Sequence, residues 1–285
     1  MNMKLFYTAI LTLGLIFAGS TLAGDIETLK KEIPLGEEKS VEIFMEMGLA
    51  DLKITAGESQ SILLAHVNYN PDKIKPIIDY SPGKIGRLEI ECRKKSRVKF
   101  DDLDHDENEW RLAFTDRIPL EIDLELGMGE GELDLTGLLI TGMTIDAGLS
   151  ELIIEFDEPN KEVIERLRVD SGLGEFVAKG LLNANIDEFR FSGGLGSSEL
   201  YFTGESHRPT EAKIEVGLGS LEITLKKDLP VKIYYEKSFL SSIDFDYFKR
   251  IDDDVYVSKN WDENAPDRLI LEIEIGLGSV CVTWE

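Results

Sequence analysis

Gly217-Leu218-Gly219-Ser220-Leu221-Glu222-Ile223 and Gly276-Leu277-Gly278-Ser279-Val280-Cys281-Val282 are two copies of one phrase. With its first glycine as position zero, the phrase starts at Gly48, Gly127, Gly148, Gly172, Gly194, Gly217 and Gly276. The central starts are 21, 24, 22 and 23 residues apart, inside the period range of solenoids and repeat arrays. The outer gaps of 79 and 59 residues read as coils that carry insertions.

Positions −5, −3 and −1 are apolar or small in most copies, as in Ile122, Leu124, Leu126 and in Leu271, Ile273, Ile275. This is strand periodicity. Ser171 and Gly193 weaken position −1 in two copies, where Leu167, Val169, Phe189 and Phe191 keep the stripe. Position +1 continues the same parity with Leu49, Met128, Leu149, Leu173, Leu195, Leu218 and Leu277, so these residues are expected in the core as continuous columns. The phase then breaks, and the next apolar set falls at +4, +6 and +8, as in Leu152, Ile154, Phe156. A parity change of this kind places a corner at +2 and +3, where Gly, Ala or Ser suits a tight bend. Each coil is thus expected to be two strands hinged at the corner, with a variable return segment. One coil of about 22 residues orders too much chain for the apolar surface it buries, so coils must stack. The fold class is all-β, a single solenoid.

Position zero faces outward by parity. Its glycine is open to two readings: a backbone need, such as a positive φ or a bulge, or a bare outer stripe along which another chain or a glycan lies.

Residues 1–23 have the pattern of a secretory signal peptide: Lys4, an apolar run from Leu5 to Phe17, and small residues at Thr21 and Ala23. The expected location is periplasmic or extracellular after cleavage, with no stable membrane insertion. The formal net charge is −24, and removing a leader with one lysine and no acid leaves −25. Such a charge disfavours nucleic acid and anionic lipid as partners. Cys92 follows the apolar parity and Cys281 the outward one, which argues against a bond between them.

The expected organisation of 24–285 is one solenoid domain: 39–116 as first coil with an N-terminal elaboration, 117–228 as regular coils, and 229–285 as insertion and last coil. Within the elaboration, Ser61–Tyr69 and Arg87–Cys92 read as extended, flanking a turn marked by Pro71, Pro76 and Pro82. The segment Gly24–Gly36 reads as loosely paired or mobile. Acidic runs at Asp101–Glu109 and at Asp252–Asp254, with Asp244 and Asp246, have some of the carboxylate density of calcium loops. The first lacks the loop glycine and has Ala113 where a bidentate Glu would stand, so both read as solvated loops. Phe239, Phe245, Tyr247 and Phe248 form an aromatic excursion, either a recognition surface or an end cap. His66, His105 and His207 match no nucleophile or zinc spacing. No catalytic, cofactor or metal site is assigned.

The Gly217–Ile223 and Gly276–Val282 phrases, with Tyr256-Val-Ser-Lys-Asn-Trp261 before the last, resemble the bacterial toast-rack and adhesin repeat family from about Lys39 to the end. They are more loosely similar to C-terminal domains of cell-wall stress-response proteins of the LiaF type. The resemblance implies a right-handed β-helix-like stack in the bacterial envelope, with no agreed enzymatic role. The expected function is a non-enzymatic adhesion or interaction scaffold, whose partner is a protein or glycan of the cell envelope. The alternative is a carbohydrate-acting β-helix enzyme using paired surface carboxylates, such as those among Glu121, Asp123, Glu125, Glu272 and Glu274.

Overall fold

A computed structural model describes residues 26–57, 60–95, 108–206, 208–236, 240–245 and 247–285. The leader, Asp101 to Glu107 of the first acidic run, His105, His207, Phe239 and Asp246 lie outside the described residues. The described residues hold sixteen strands and no helix.

The chain begins with β1 (Glu27–Pro34) and β2 (Ser40–Gly57), followed by β3 (Ser61–Tyr69), β4 (Ile74–Ser81), β5 (Ile85–Lys94) and β6 (Asn108–Thr115). Five repeats follow as β7 (Leu120–Asp134), β8 (Ile140–Glu155), β9 (Ile164–Lys179), β10 (Ile186–Phe202) and β11 (Thr210–Leu225). The last part holds β12 (Val231–Glu236), β13 (Leu240–Phe245), β14 (Lys249–Asp252), β15 (Val255–Val257) and β16 (Leu269–Trp284). The expected pair of hinged strands is a single bent strand of 15 to 18 residues in each repeat.

These long strands form one parallel ladder in the order β2-β7-β8-β9-β10-β11-β16, with each phrase in register with the next. The long sequence gaps do not interrupt it. Gly48 and Gly127 lie on adjacent rungs although 79 residues separate them, because the intervening chain is displaced to the end of the stack. There β5 and β6 together form a further rung against the two halves of β2. Antiparallel β4 covers β5, and β3 then β1 cover β6. Pro76 lies inside β4 rather than in a turn. It is tolerated because β4 pairs on one side only, so the missing N–H faces no partner. The 24–36 stretch, expected to be loose, supplies β1.

The other end differs from the linear reading. Strand β16 is last in sequence but not last in the stack, because β12 and β13 pair with its two halves as the next rung out. The chain therefore leaves β11, builds the outer rung and the β14–β15 hairpin, and returns to fill the vacant place. Two residues of the aromatic excursion cover this end, where Phe245 packs edge-on to Tyr235 (5.8 Å) and Tyr256 (4.9 Å) and Phe248 stacks on Trp284 (5.3 Å), whereas Tyr247 is exposed. Asp252–Asp254 form the hairpin turn, with Asp254 at φ 59° and Asp253 paired to Arg250 at 2.7 Å.

The core runs continuously from Ile33 to Val282, and positions −5, −3, −1, +4, +6 and +8 fill it. Gly193, a weak point in the apolar stripe, is explained by volume. A side chain there would press on the Phe191 ring, which stacks on Phe176 at 4.8 Å. Two buried asparagines, Asn160 and Asn183, close the return segments by donating to the Ile140 carbonyl (2.7 Å) and the Phe156 carbonyl (2.9 Å). Each ties the return segment to the backbone of an earlier coil.

The position +1 residues overturn the expectation of a buried column. Leu149, Leu173, Leu195, Leu218 and Leu277 are 54, 43, 50, 45 and 44 % exposed, and Met128 is half-buried. They are stacked in register, but on the outside. Cα pairing passes from position −1 to position +1 with no pair at zero, as from Ala147–Ser171 to Leu149–Leu173. The bend thus begins at zero and spans four residues, from zero to +3, so +1 lies on the convex side. Leu49 alone is buried, because the β5–β6 rung covers it: the Asn108 amide and the Cys92 thiol both donate to its carbonyl oxygen.

Candidate functional site

The exposed ridge and its flanks form the most distinctive surface of the stack. Along the ridge run Met128, Leu149, Leu173, Leu195, Leu218 and Leu277, one per rung. Backbone crowding explains why the surface beside it is bare. A Cβ on Gly172, Gly217 or Gly276 would come within 2.6, 2.7 and 2.5 Å of the carbonyl oxygen of the position-zero glycine one rung below. Close approach, rather than φ, sets glycine at zero. The positive φ belongs to position +2, with values of 121° to 151° at Gly129, Gly174, Gly196, Gly219 and Gly278.

The position-zero glycines Gly48, Gly127, Gly148, Gly172 and Gly194 floor an open trough of about 620 Å³. Its far wall is position −2: Glu46, Glu125, Asp146, Asp170 and Ser192. These side chains are in register, so carboxylates stack directly, separated by one rung of about 4.8 Å. Like charges opposite one another on a sheet are destabilising. The molecule relieves this locally. Asp146 and Asp170 share a hydrogen bond, and Arg168 pairs with Asp170 at 2.6 Å. Burial, then the hydrogen bond and charge of Asp170, push the Asp146 carboxyl above its ordinary value.

A second acidic file lies across the ridge at position +3. Asp51, Glu130, Glu151 and Glu175 are in register, and Ser197, Ser220 and Ser279 continue it. At position +3 the charge is confined to the rungs from β2 to β9, whereas at position −2 Ser192 breaks the file and Glu215, paired to Lys213 at 2.5 Å, and Glu274 resume it on β11 and β16.

The other sequence candidates are dispersed. Neither Cys92 nor Cys281 is in a disulfide. They lie seven rungs apart, about 34 Å along the stack, beyond any disulfide. His66 stands in β3 between Lys30 and Arg111 on the neighbouring strands. Glu121, Asp123, Glu272 and Glu274 line exposed strand faces. Among the described residues, no group of three or more His, Cys, Asp or Glu is placed to hold a metal ion, and no helix is long and apolar enough to cross a membrane. Sequence reasoning missed the position +3 file, whose signal is an acid at +3 in four successive copies. It also missed the asparagine pair, whose signal is a spacing of 23 residues, that of the repeat.

A parallel stack of glycine-cornered coils, closed at both ends by added strands, defines a β-solenoid of the repeat-scaffold class. Residues 22–179 match the family described as the N-terminal domain of toast_rack, DUF2154, and the chain belongs to that family. Among solved structures, a candidate cell adhesion protein from Clostridium sporogenes is 20 % identical, over 91 % of this chain and 100 % of its own, at TM-score 0.48. A candidate adhesin from Bacteroides fragilis is 10 % identical over 93 % of this chain and 100 % of its own, at TM-score 0.31. A candidate lipid-binding protein from Parabacteroides distasonis is 11 % identical over 92 % and 97 %, at TM-score 0.33. These likenesses are too distant to transfer a role. No curated protein matches the chain.

Proposed function

We propose that this protein is a non-enzymatic interaction scaffold of the bacterial envelope, working outside the cytoplasm, and that it binds a protein or glycan partner along its corner face. The observation that carries the reading is the ridge. Six apolar side chains stand outward in register on consecutive rungs, although the same coils bury the apolar residues of their core positions. Contiguous exposed apolar surface on a stable protein marks an interaction site. A solenoid face suits this use, because its rigid repeat presents one chemical group at a fixed spacing.

The carbohydrate-cleaving alternative needs two carboxylates on either side of a scissile bond, one held protonated in an apolar setting. Asp146 and Asp170 are rung neighbours that hydrogen-bond to each other on an open face.

The test is binding of residues 24–285 to envelope fractions of a bacterium that makes the protein, compared with the Leu149→Ser, Leu173→Ser, Leu195→Ser triple variant. The expected result is saturable binding that the triple variant loses at least tenfold while its melting temperature holds. Equal binding by both proteins would move the interaction site elsewhere.

A further inference from the structure

We infer that the occupant of the ridge is a basic amphipathic α-helix of a partner protein, lying along the stack axis across the corners. This rests on the scaffold reading above and names its partner by chemistry.

The spacing favours a helix. Six ridge residues span five rung intervals, about 24 Å at about 4.8 Å each. A helix presents one apolar side chain per turn of about 5.4 Å, so its stripe drifts by only about 0.6 Å per rung. An extended segment presents one every second residue, about 6.7 Å, and drifts about three times as fast. At about 1.5 Å per residue, a helix of about 16 residues covers the ridge.

Charge fixes the sign of the flanks. On three successive rungs the ridge residues Met128, Leu149 and Leu173 are bordered by Glu125, Asp146 and Asp170 on one side and by Glu130, Glu151 and Glu175 on the other. Arg168 answers Asp170. Among the described residues, no cationic side chain lies in ion-pair range of Glu125, Glu130, Glu151 or Glu175. Two files of stacked carboxylates with an apolar line between them complement a helix that carries leucine-like residues on one stripe and lysine or arginine on both borders. The helix diameter with side chains, about 10–12 Å, lets those borders reach both files. The complement is asymmetric. The +3 file ends in Ser197, Ser220 and Ser279, whereas the −2 file breaks only at Ser192 and resumes with Glu215, which Lys213 pairs, and Glu274, so both borders of the helix are basic over β7 to β9 and only its −2 border has acids to meet beyond them. A second copy of this chain is disfavoured as occupant, since it would bring its own acidic files against these.

The experiment is fluorescence anisotropy of a labelled 16-residue peptide with a leucine stripe bordered by lysines. Residues 24–285 are titrated in, with a scrambled peptide of the same composition and an acid-bordered peptide with the same stripe as controls. The lysine-bordered peptide is expected to bind at least tenfold more tightly than either control. Leu149→Ser with Leu173→Ser should weaken it at least tenfold, and Glu125→Gln, Glu130→Gln, Glu151→Gln and Glu175→Gln together should weaken it and flatten its salt dependence. Equal affinity for the scrambled peptide would reduce the effect to bulk negative charge and overturn the inference. So would binding that requires added calcium, or a ridge buried in dimers by sedimentation. If envelope binding depends on the ridge but the peptide does not bind, the helix is wrong and the scaffold stands. If neither depends on it, both fail.

Discussion

Leu149 and Ile154 sit on one strand, and their replacement separates the outside of the corner from the core. Leu149→Ser removes an exposed side chain and is expected to change stability by less than about 0.5 kcal/mol, whereas Ile154→Ala empties a fully buried site and should cost about 2–5 kcal/mol. Chemical denaturation of both variants decides it; equal losses would put Leu149 back inside. Glycine at +2 is a different constraint. Gly219→Ala meets both a φ of 151° and backbone overlap with Gly196, so an expected loss of about 2–4 kcal/mol should appear as a lower midpoint. Titration supplies a sign test with two residues. Asp146 holds its proton more tightly folded than unfolded, so its contribution is full below the ordinary carboxylate range and is lost as pH rises through its raised value. Glu188 is the reverse: the Arg166 hydrogen bond, at 2.8 Å, outweighs burial and lowers it, with Arg190 adding to the effect. Its contribution is present above the ordinary value and lost on acidification. Near neutral pH, Asp146→Asn should therefore melt above the parent and Glu188→Gln below it, with both differences shrinking toward about pH 3.

At the scale of elements, the two ends decide whether the stack behaves as a closed object. Rung edges carry unpaired backbone groups that invite further chains. Here β3 with β1 and β4 cover one end, and β12, β13 and the β14–β15 hairpin cover the other. Aromatic contacts centred on Phe245 add to the backbone pairing with β16 that holds the outer rung. Phe245→Ala should loosen it without unfolding the regular coils. In hydrogen exchange, amides of β12 and β15 would lose protection while those of β8 to β10 keep theirs. Uniform loss along the ladder would show instead that the rung and the coils unfold as one unit.

At the scale of the whole molecule, much of the architecture was legible because strand parity and glycine spacing are local signals. The apolar positions from −5 to −1 and from +4 to +8 identified the core columns residue by residue. The direction of +1 was not legible. Parity counting assumes an extended chain, and the bend starts at zero, where glycine reports crowding from the rung below rather than anything in its own strand. The placement of β16 between β11 and the β12–β13 rung was hidden for another reason: sequence order says nothing about which vacant place a returning chain fills. The acidic files are legible only once register is known, since each acid taken singly is an ordinary outward strand residue.

The central claim is that the position +1 residues stand in one outward line along a parallel stack. Spin labels at Met128→Cys and Leu277→Cys, in a chain with Cys92→Ala and Cys281→Ser, measure it by pulsed dipolar spectroscopy. A narrow distribution near 24 Å, consistent with five rungs of about 4.8 Å, together with the mobile line shape of exposed labels, is the expected result. A broad or much longer distance, or labels immobilised as in a packed core, would contradict it.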